Sequence, residues 1–303
     1  MQWFDVMSIM WKQAYASYET DRAACPVCGS RDASQYAEQF GLGLVVCRTC
    51  GLCYVSPRVK HPDLNYHGSL DRTAEKYSAV FAGIALHPRW ENYLEHLRVL
   101  ERFRGGGSLL DVGTHCGFFL RYARDAGWRV LGVEPSPANS ELAREKFGLP
   151  VITGYLQDAH LDGEMFDVVT VIDVLEHVTE PRPLILEIQR VLRLGGVLFI
   201  KVPNLGWNLL KYWTLGKVLR RSHYDFFDIR EHVVQYNVAS LGHLLLGCGF
   251  APISWHVPRP VQVGSPWQRW TRTLAYFIGK GIFAVTGHFS VLATDIAVIA
   301  RKS

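Results

Sequence analysis

Hydrophobic positions along the chain fall into two rhythms. Residues 88–104, PRWENYLEHLRVLERFR, repeat apolar side chains at helical spacing and place Trp90, Tyr93, Leu94, Leu97 and Leu100 on one face. The Gly105-Gly106-Gly107 run ends that helix. Short apolar runs then alternate with amphipathic stretches. SLLDVG, WRVLGVE, FDVVTVID and VLFIKVP read as buried strands. FFLRYARDAGW, SELAREKFG and PLILEIQRVLRLGG read as helices, stopped by Gly127, Gly148 and the Gly195-Gly196 pair. This order predicts an α/β fold, a parallel sheet covered by helices on both faces. Ligands of such sheets bind at the carboxyl ends of the strands. Further on, Leu241 to Phe250 reads as a helix, a strand follows near Ile253, and LATDIAVIARK reads as a last strand.

The pattern divides the chain into three parts. Residues 1–58 hold a Trp- and Met-rich leader (1–24, read as helical) and a turn-rich, cysteine-bearing module. Residues 59–104 form a helical connector or lid, and 105–303 the main domain, with insertions at about 205–235 and 258–290. Over 303 residues, 49% are hydrophobic and 20% charged, which excludes a disordered or fibrous chain. The net charge of +4, with dispersed basic residues, argues against a nucleic-acid partner. The most apolar stretch, Thr273 to Thr294, is broken by Lys280 and His288, so no membrane span is expected. MQWFDVMSIMWK carries Asp5 and lacks a basic start, so no secretory signal is expected and the protein is placed in the cytoplasm.

The cysteines agree with a reducing compartment. Cys25-x-x-Cys28 and Cys47-x-x-Cys50 are separated by 18 residues, and each pair is followed by a glycine. Four thiolates at this spacing suit a tetrahedral structural zinc ion. Cys53, Cys116 and Cys248 fall outside the pattern and read as core thiols.

Candidate cofactor chemistry sits between the first strand and the next helix. Asp111-Val-Gly113-Thr-His-Cys-Gly117 supplies glycines for close backbone approach and a helix amino end for an anionic group. Glu134 closes the second strand, 23 residues past Asp111, where a carboxylate can accept hydrogen bonds from both ribose hydroxyls. A second block runs Phe166-Asp167-Val-Val-Thr-Val-Ile-Asp173-Val-Leu-Glu176-His177, then Pro181, then Arg190 to Gly196, then Val202-Pro203-Asn204.

Together these blocks resemble the class I S-adenosylmethionine-dependent methyltransferases of small-molecule type, whose first motif reads D/E-x-G-x-G-x-G. The likeness covers roughly residues 108–204, and the middle glycine of the motif is His115 here. It implies a Rossmann-like sheet, with S-adenosyl-L-methionine held by Asp111, Gly113, Gly117, Glu134 and Asp173, and with Leu156 and Gln157 in the adenine-flanking loop. Small zinc modules precede this domain in many bacterial enzymes that modify natural products or saccharides. The implied reaction is methylation of an oxygen on a natural product, saccharide or phenol. N- or C-methylation, and a cofactor-binding zinc module without turnover, are the alternatives.

An alcohol or phenol acceptor must lose a proton, and histidine suits that task near neutral pH. Glu231-His232 falls in the segment that resembles the family's acceptor side, which makes His232 the first candidate base and His177 the second. Asp173-x-x-Glu176-His177 is also similar to a cluster that binds magnesium in some quinone-pathway O-methyltransferases; the plainer reading is a cofactor-edge acid and a helix-starting acid. His223, Tyr224 and Asp225 are candidates for the acceptor pocket. Two aromatic segments carry interleaved cations. Trp207, Leu210, Trp213 and Leu215 with Lys211, Lys217, Arg220 and Arg221 form a lid candidate. Trp267, Trp270, Leu274, Phe277 and Ile278 with Arg269, Arg272 and Lys280 follow helical spacing, and read as core-facing aromatics, a pocket cover, a dimer face, or a peripheral membrane contact through 267–285. The oligomeric state, monomer or homodimer, is open.

Overall fold

The computed structural model describes residues 19–39, 41–59, 73–218, 225–229, 231–261, 265–286 and 292–303. Residues 1–18 of the leader read as helical, together with His223, Tyr224, Arg220 and Arg221, lie outside the described residues; the described end of the leader, Thr20–Asp21, is a short strand.

A seven-stranded sheet forms the centre. Its strands are β6 (Ser108–Val112), β7 (Arg129–Glu134), β8 (Val151–Thr153), β9 (Phe166–Ile172), β10 (Leu192–Pro203), β12 (Phe250–His256) and β13 (Asp295–Lys302). Their spatial order is β12-β13-β10-β9-β6-β7-β8. The pairs β10/β9, β9/β6, β6/β7 and β7/β8 are parallel, as the alternating pattern predicts. β13 instead runs antiparallel between β10 and β12. The three-residue strand β8 has too few positions to show a period.

Alternation along each strand sorts side chains to two cores. Val197 and Phe199 of β10, Val168 of β9 and Leu109 of β6 pack against α1 (Trp90–Leu100) and α2 (Phe118–Asp125). Leu198, Ile200 and Val202, with Val169, Val171 and Leu110, pack on the opposite face against α4 (Pro181–Val191) and α6 (Val238–Leu246). Each fully buried leucine or phenylalanine contributes about 1.5–3 kcal/mol by leaving water. The buried face of α1 is Asn92, Tyr93, His96, Leu97 and Leu100, while Trp90 and Leu94 are half-buried at its margin. Between β7 and β8, α3 (Pro137–Phe147) begins at Ser136, whose side chain accepts the Asn139 N–H, and ends at left-handed Gly148.

A second sheet of four strands is built from β2 (Ala33–Gln39), β3 (Leu42–Cys47), β4 (Cys53–Val55) and β11 (Val234–Gln235), in the order β11-β4-β3-β2. β11 belongs to the segment after residue 205, so the cysteine module shares a sheet with the main domain. β1 (Thr20–Asp21) pairs with β5 (Arg58–Val59) beside it. Of the aromatic segments, the first forms α5 (Leu205–Lys211) and a π-helical extension, and the second forms α7 (Pro266–Val285). Among the described residues no helix is long and apolar enough to cross a membrane.

Candidate active site

The carboxyl ends of β6, β9 and β10 open into a cleft of about 420 Å³. It is lined among others by Tyr77, Arg89, Asp111, Gly113, Asp173, Glu176, His177, Lys201 and His232. Sequence-distant candidates are thereby brought into one space.

The glycine turn owes its shape to two left-handed residues that need to be glycine. Gly113 has φ +72°, and a Cβ there would lie 2.4 Å from a Val174 methyl carbon. Gly117 has φ +77° and precedes α2; a Cβ there would lie 2.5 Å from a Leu149 methyl carbon. His115, where the family has its middle glycine, also holds a left-handed φ of 53°, so the backbone path survives the substitution. That conformation costs a non-glycine residue about 1–2 kcal/mol. Glu134, only 1% exposed, anchors the turn: one carboxylate oxygen accepts the His115 N–H at 2.8 Å and the other accepts the Ser136 N–H at 3.0 Å. Asp111, largely buried at the cleft's edge, accepts the Thr170 hydroxyl at 2.6 Å; burial pushes its carboxyl up to about 7.

Glu134, Gly117, Leu156 and Gln157 stand at the same end of the sheet but do not line the cleft. Leu156 and Gln157 share a 3₁₀ turn after β8, with Leu156 buried and Gln157 exposed.

Asp173 does not offer its carboxylate outward. One oxygen receives Lys201 Nζ at 2.5 Å and the other receives the Arg89 guanidinium; Lys201 also reaches Asp295 at 2.6 Å. Burial raises the Asp173 carboxyl, but the two cations outweigh it and hold it at about 2. A magnesium ligand role for Asp173 therefore competes with two resident cations.

Glu176, His177 and His232 do converge. Their ligand atoms lie within 4.8 Å of one another, a set that suits a divalent cation without Asp173. Glu176 is 2% exposed, and burial together with the Asp173 charge keeps its carboxyl protonated far above the usual range. His177 Nδ1 lies 3.0 Å from the Glu231 carbonyl oxygen, so it carries the proton and donates, leaving Nε2 as the acceptor nitrogen. The two imidazoles meet edge to face with centroids 4.8 Å apart. Burial lowers both, His232 to about 3 with the neighbouring His177 adding to the effect. Asp225, the described member of the third candidate cluster, caps a turn by accepting the Ile229 N–H.

The four module cysteines face one another. Cys25 and Cys50 sulfurs are 3.5 Å apart, as are those of Cys28 and Cys47, and all four lie within 4.8 Å. Zn–S bonds of about 2.3 Å place tetrahedral sulfurs about 3.8 Å apart, so the set fits zinc. Gly29 and Gly51 turn the knuckles at φ +74° and +72°. Cys53, Cys116 and Cys248 are buried elsewhere.

A family model described as a methyltransferase domain matches residues 89–254, more than half of the chain. The chain belongs to this methyltransferase family. The cofactor it implies is S-adenosylmethionine, and the residues fit: a turn that admits no Cβ at Gly113, an open cleft beside that turn, and behind it the buried Glu134 carboxylate that holds the His115 N–H. Residues 21–53 match the zinc-binding domain of primase-helicase, in agreement with a structural zinc in the cysteine module. The methyltransferase is 32% identical over 102 residues to the mitochondrial ubiquinone biosynthesis O-methyltransferase of Schizosaccharomyces pombe, covering 31% of this chain and 37% of that one. It is 30% identical over 125 residues to the ubiquinone biosynthesis O-methyltransferase of Pasteurella multocida, covering 36% and 50%. The chain spans half or less of the length of these curated relatives. Among solved structures, a SAM-dependent methyltransferase from Thermotoga maritima, titled a possible histamine N-methyltransferase, superposes with TM-score 0.50 at 17% identity over 78% of this chain and 99% of that one. The 4+2 cyclase SpnF does so with TM-score 0.50 at 21% identity, over 81% and 98%. These two show the fold alone.

The sequence reading did not single out Arg89, Tyr77 or Lys201. Lys201 carried a signal, a lone charge inside the apolar run VLFIKVP, because a charge in a buried strand needs a partner. Arg89 and Tyr77 had none: they reach the cleft because the connector packs over the glycine turn, with Tyr77 and His87 ring centroids 5.1 and 4.3 Å from Phe118.

Proposed function

We propose that this methyltransferase moves the methyl group of S-adenosylmethionine to an oxygen of a small molecule. The observation that carries the reading is one cleft joining Asp111 and Gly113 of the cofactor turn to the His177–His232 pair. Bound S-adenosylmethionine supplies an electrophilic sulfonium methyl. The chain's part is to hold, orient and deprotonate. Glu134 accepts the ribose hydroxyls, and Arg89, on the cleft wall, takes the cofactor carboxylate. His177 Nε2 receives the acceptor hydroxyl proton, while the Glu231 carbonyl holds the ring's opposite edge. This favours His177 as base, with His232 orienting the acceptor. An acidic hydroxyl such as a phenol suits a pair of imidazoles whose basicity burial lowers. O-methylation is also the activity in the names of the ubiquinone-pathway relatives.

Glu134→Gln is expected to weaken S-adenosylhomocysteine binding about 10- to 100-fold, since hydrogen bonds to a charged acceptor contribute about 1.5–3 kcal/mol. Calorimetry tests it, and wild-type protein giving no heat with S-adenosylmethionine or S-adenosylhomocysteine removes the reading. Product analysis with labelled methyl separates O- from N- or C-methylation.

A second cleft of about 320 Å³ is lined by Trp207, Val257, Pro260, Arg272, Tyr276 and Leu292. Beyond it α7 turns Tyr276, Gly279 and Phe283 inward and leaves Trp267, Trp270, Leu274, Phe277, Ile278, Ile282 and Val285 as an outward stripe. The helix carries Arg269, Arg272 and Lys280 and no acid, which supports peripheral contact with an anionic bilayer. Co-sedimentation with phosphatidylglycerol vesicles is expected to fall about tenfold in the double variant Trp267→Ser, Trp270→Ser. A concentration-dependent dimer that disappears in that variant, without vesicle binding by the wild type, assigns the stripe to a second copy instead.

A further inference from the structure

The strand beside the acceptor-side histidine takes its pairing from the zinc module. In β11, Val234 stands opposite Tyr54 and Gln235 opposite Cys53, and the Val55 N–H donates to the Val233 carbonyl at 2.9 Å. β4 starts three residues after the zinc ligand Cys50. Cys25 and Cys47 pack in the same core cluster as Val233, Val234, Tyr236 and Leu175, the residue before Glu176. A single covalent and hydrogen-bonded path therefore runs from the sulfurs through β4 and β11 to His232. Through the Glu231 carbonyl it reaches His177 as well.

The cofactor side is held differently. Gly113 N–H donates to the Val133 carbonyl at 2.8 Å, and Glu134 is fixed from His115 and Ser136, all within the main sheet and its turns. A cysteine module of this size has little core of its own, and such modules fold on their metal. Without zinc, β4 loses its anchor and β11 its neighbour, while the glycine turn keeps its ladder.

We propose that the zinc module is a positioning element of the acceptor site: metal-loaded, it fixes β11 and with it the Glu231 carbonyl and the His232 ring opposite the cofactor turn. The inference rests on the reading of His177 and His232 as the acceptor-side pair. It assigns Val55, through its N–H, as a positioning residue 177 positions away in sequence from His232. A shift of about 1 Å in such a pair is worth about 100-fold in turnover.

The test uses the full chain in two forms, zinc-stripped wild type and zinc-loaded Val55→Pro, which lacks the donor to Val233 and keeps all four cysteines. Hydrogen exchange at 232–236 is expected to quicken at least about tenfold in both, and the His177 and His232 ring signals to move in NMR spectra. Exchange at 108–134 and affinity for S-adenosylhomocysteine are expected to stay within about threefold. Unchanged exchange at 232–236 in Val55→Pro overturns the proposal. So does an equal loss at 108–134 in that variant, because the module then supports the whole fold and not this site. If stripping zinc unfolds the chain, the zinc-loaded variant alone decides. Absence of any S-adenosylhomocysteine binding by the wild type counts against the methyltransferase reading, while the exchange comparison still decides the role of the module.

Discussion

Replacing His177 by glutamine is expected to lower kcat about 10²- to 10⁴-fold, the range contributed by a positioned general base. Glutamine keeps an amide N–H for the Glu231 carbonyl and approximates the ring's length, so the fold is spared while proton transfer is lost. S-Adenosylhomocysteine affinity is expected to change less than about threefold, because the Glu134-anchored turn is held from the His115 and Ser136 N–H groups. The pH profile gives a second check. Burial lowers His177 below the ordinary histidine value of 6.5, with the Glu231 carbonyl opposing only in part. The ring is therefore neutral and ready to accept through neutral pH, and the acid limb of kcat/KM lies below 6.5. A variant with undiminished turnover, or an acid limb above 6.5 that survives in it, rules His177 out as the base.

Asp173→Asn is expected to destabilise the fold by about 2–3 kcal/mol, because Lys201 and Arg89 then face the single carboxylate of Asp295. Arg89 and Lys201 are balanced by Asp173 and Asp295, and the Lys201 side chain is only 10% exposed. Asparagine tolerates the left-handed φ of 55° at this position, so the change isolates the charge. The urea midpoint is the measurement, and adding Lys201→Met is expected to recover much of the loss. The linkage has a definite sign. The folded carboxyl sits at about 2 against an ordinary 3.8, so its contribution is complete above pH 4 and is lost as pH falls from 3.8 toward 2. The gap between wild type and variant therefore closes across that window. A midpoint unchanged at pH 7 shows that Asp295 and water satisfy Lys201 and Arg89 without Asp173.

Much of this architecture was legible because its signals are local. A buried parallel strand needs a continuous apolar run and a covering helix needs a 3.6-residue stripe, so FDVVTVID and PLILEIQRV announced themselves, whereas Leu192 to Gly196, read as the end of that helix, open β10. Four thiols in two CxxC-G knuckles left little freedom, since each knuckle carries two ligands on one turn. Gly113 and Gly117 were readable for the same reason: the left-handed backbone and the Val174 and Leu149 contacts forbid a side chain. Strand direction was not legible. Nothing local in LATDIAVIARK says that β13 runs against its neighbours.

The sequence by itself determined the layered α/β fold, the cysteine module, the cofactor turn and the acid at Glu134, because each is set by residues within a few positions of one another. Only the tertiary structure decided which groups share the cleft. It turned Asp173 onto Lys201 and Arg89, set the His177 ring against the Glu231 carbonyl, and joined β11 to β4 across about 180 residues. These contacts are pairings of distant polar groups driven by burial. A charge or lone pair removed from water must find a partner wherever the packed core places one, and no local pattern records where that is.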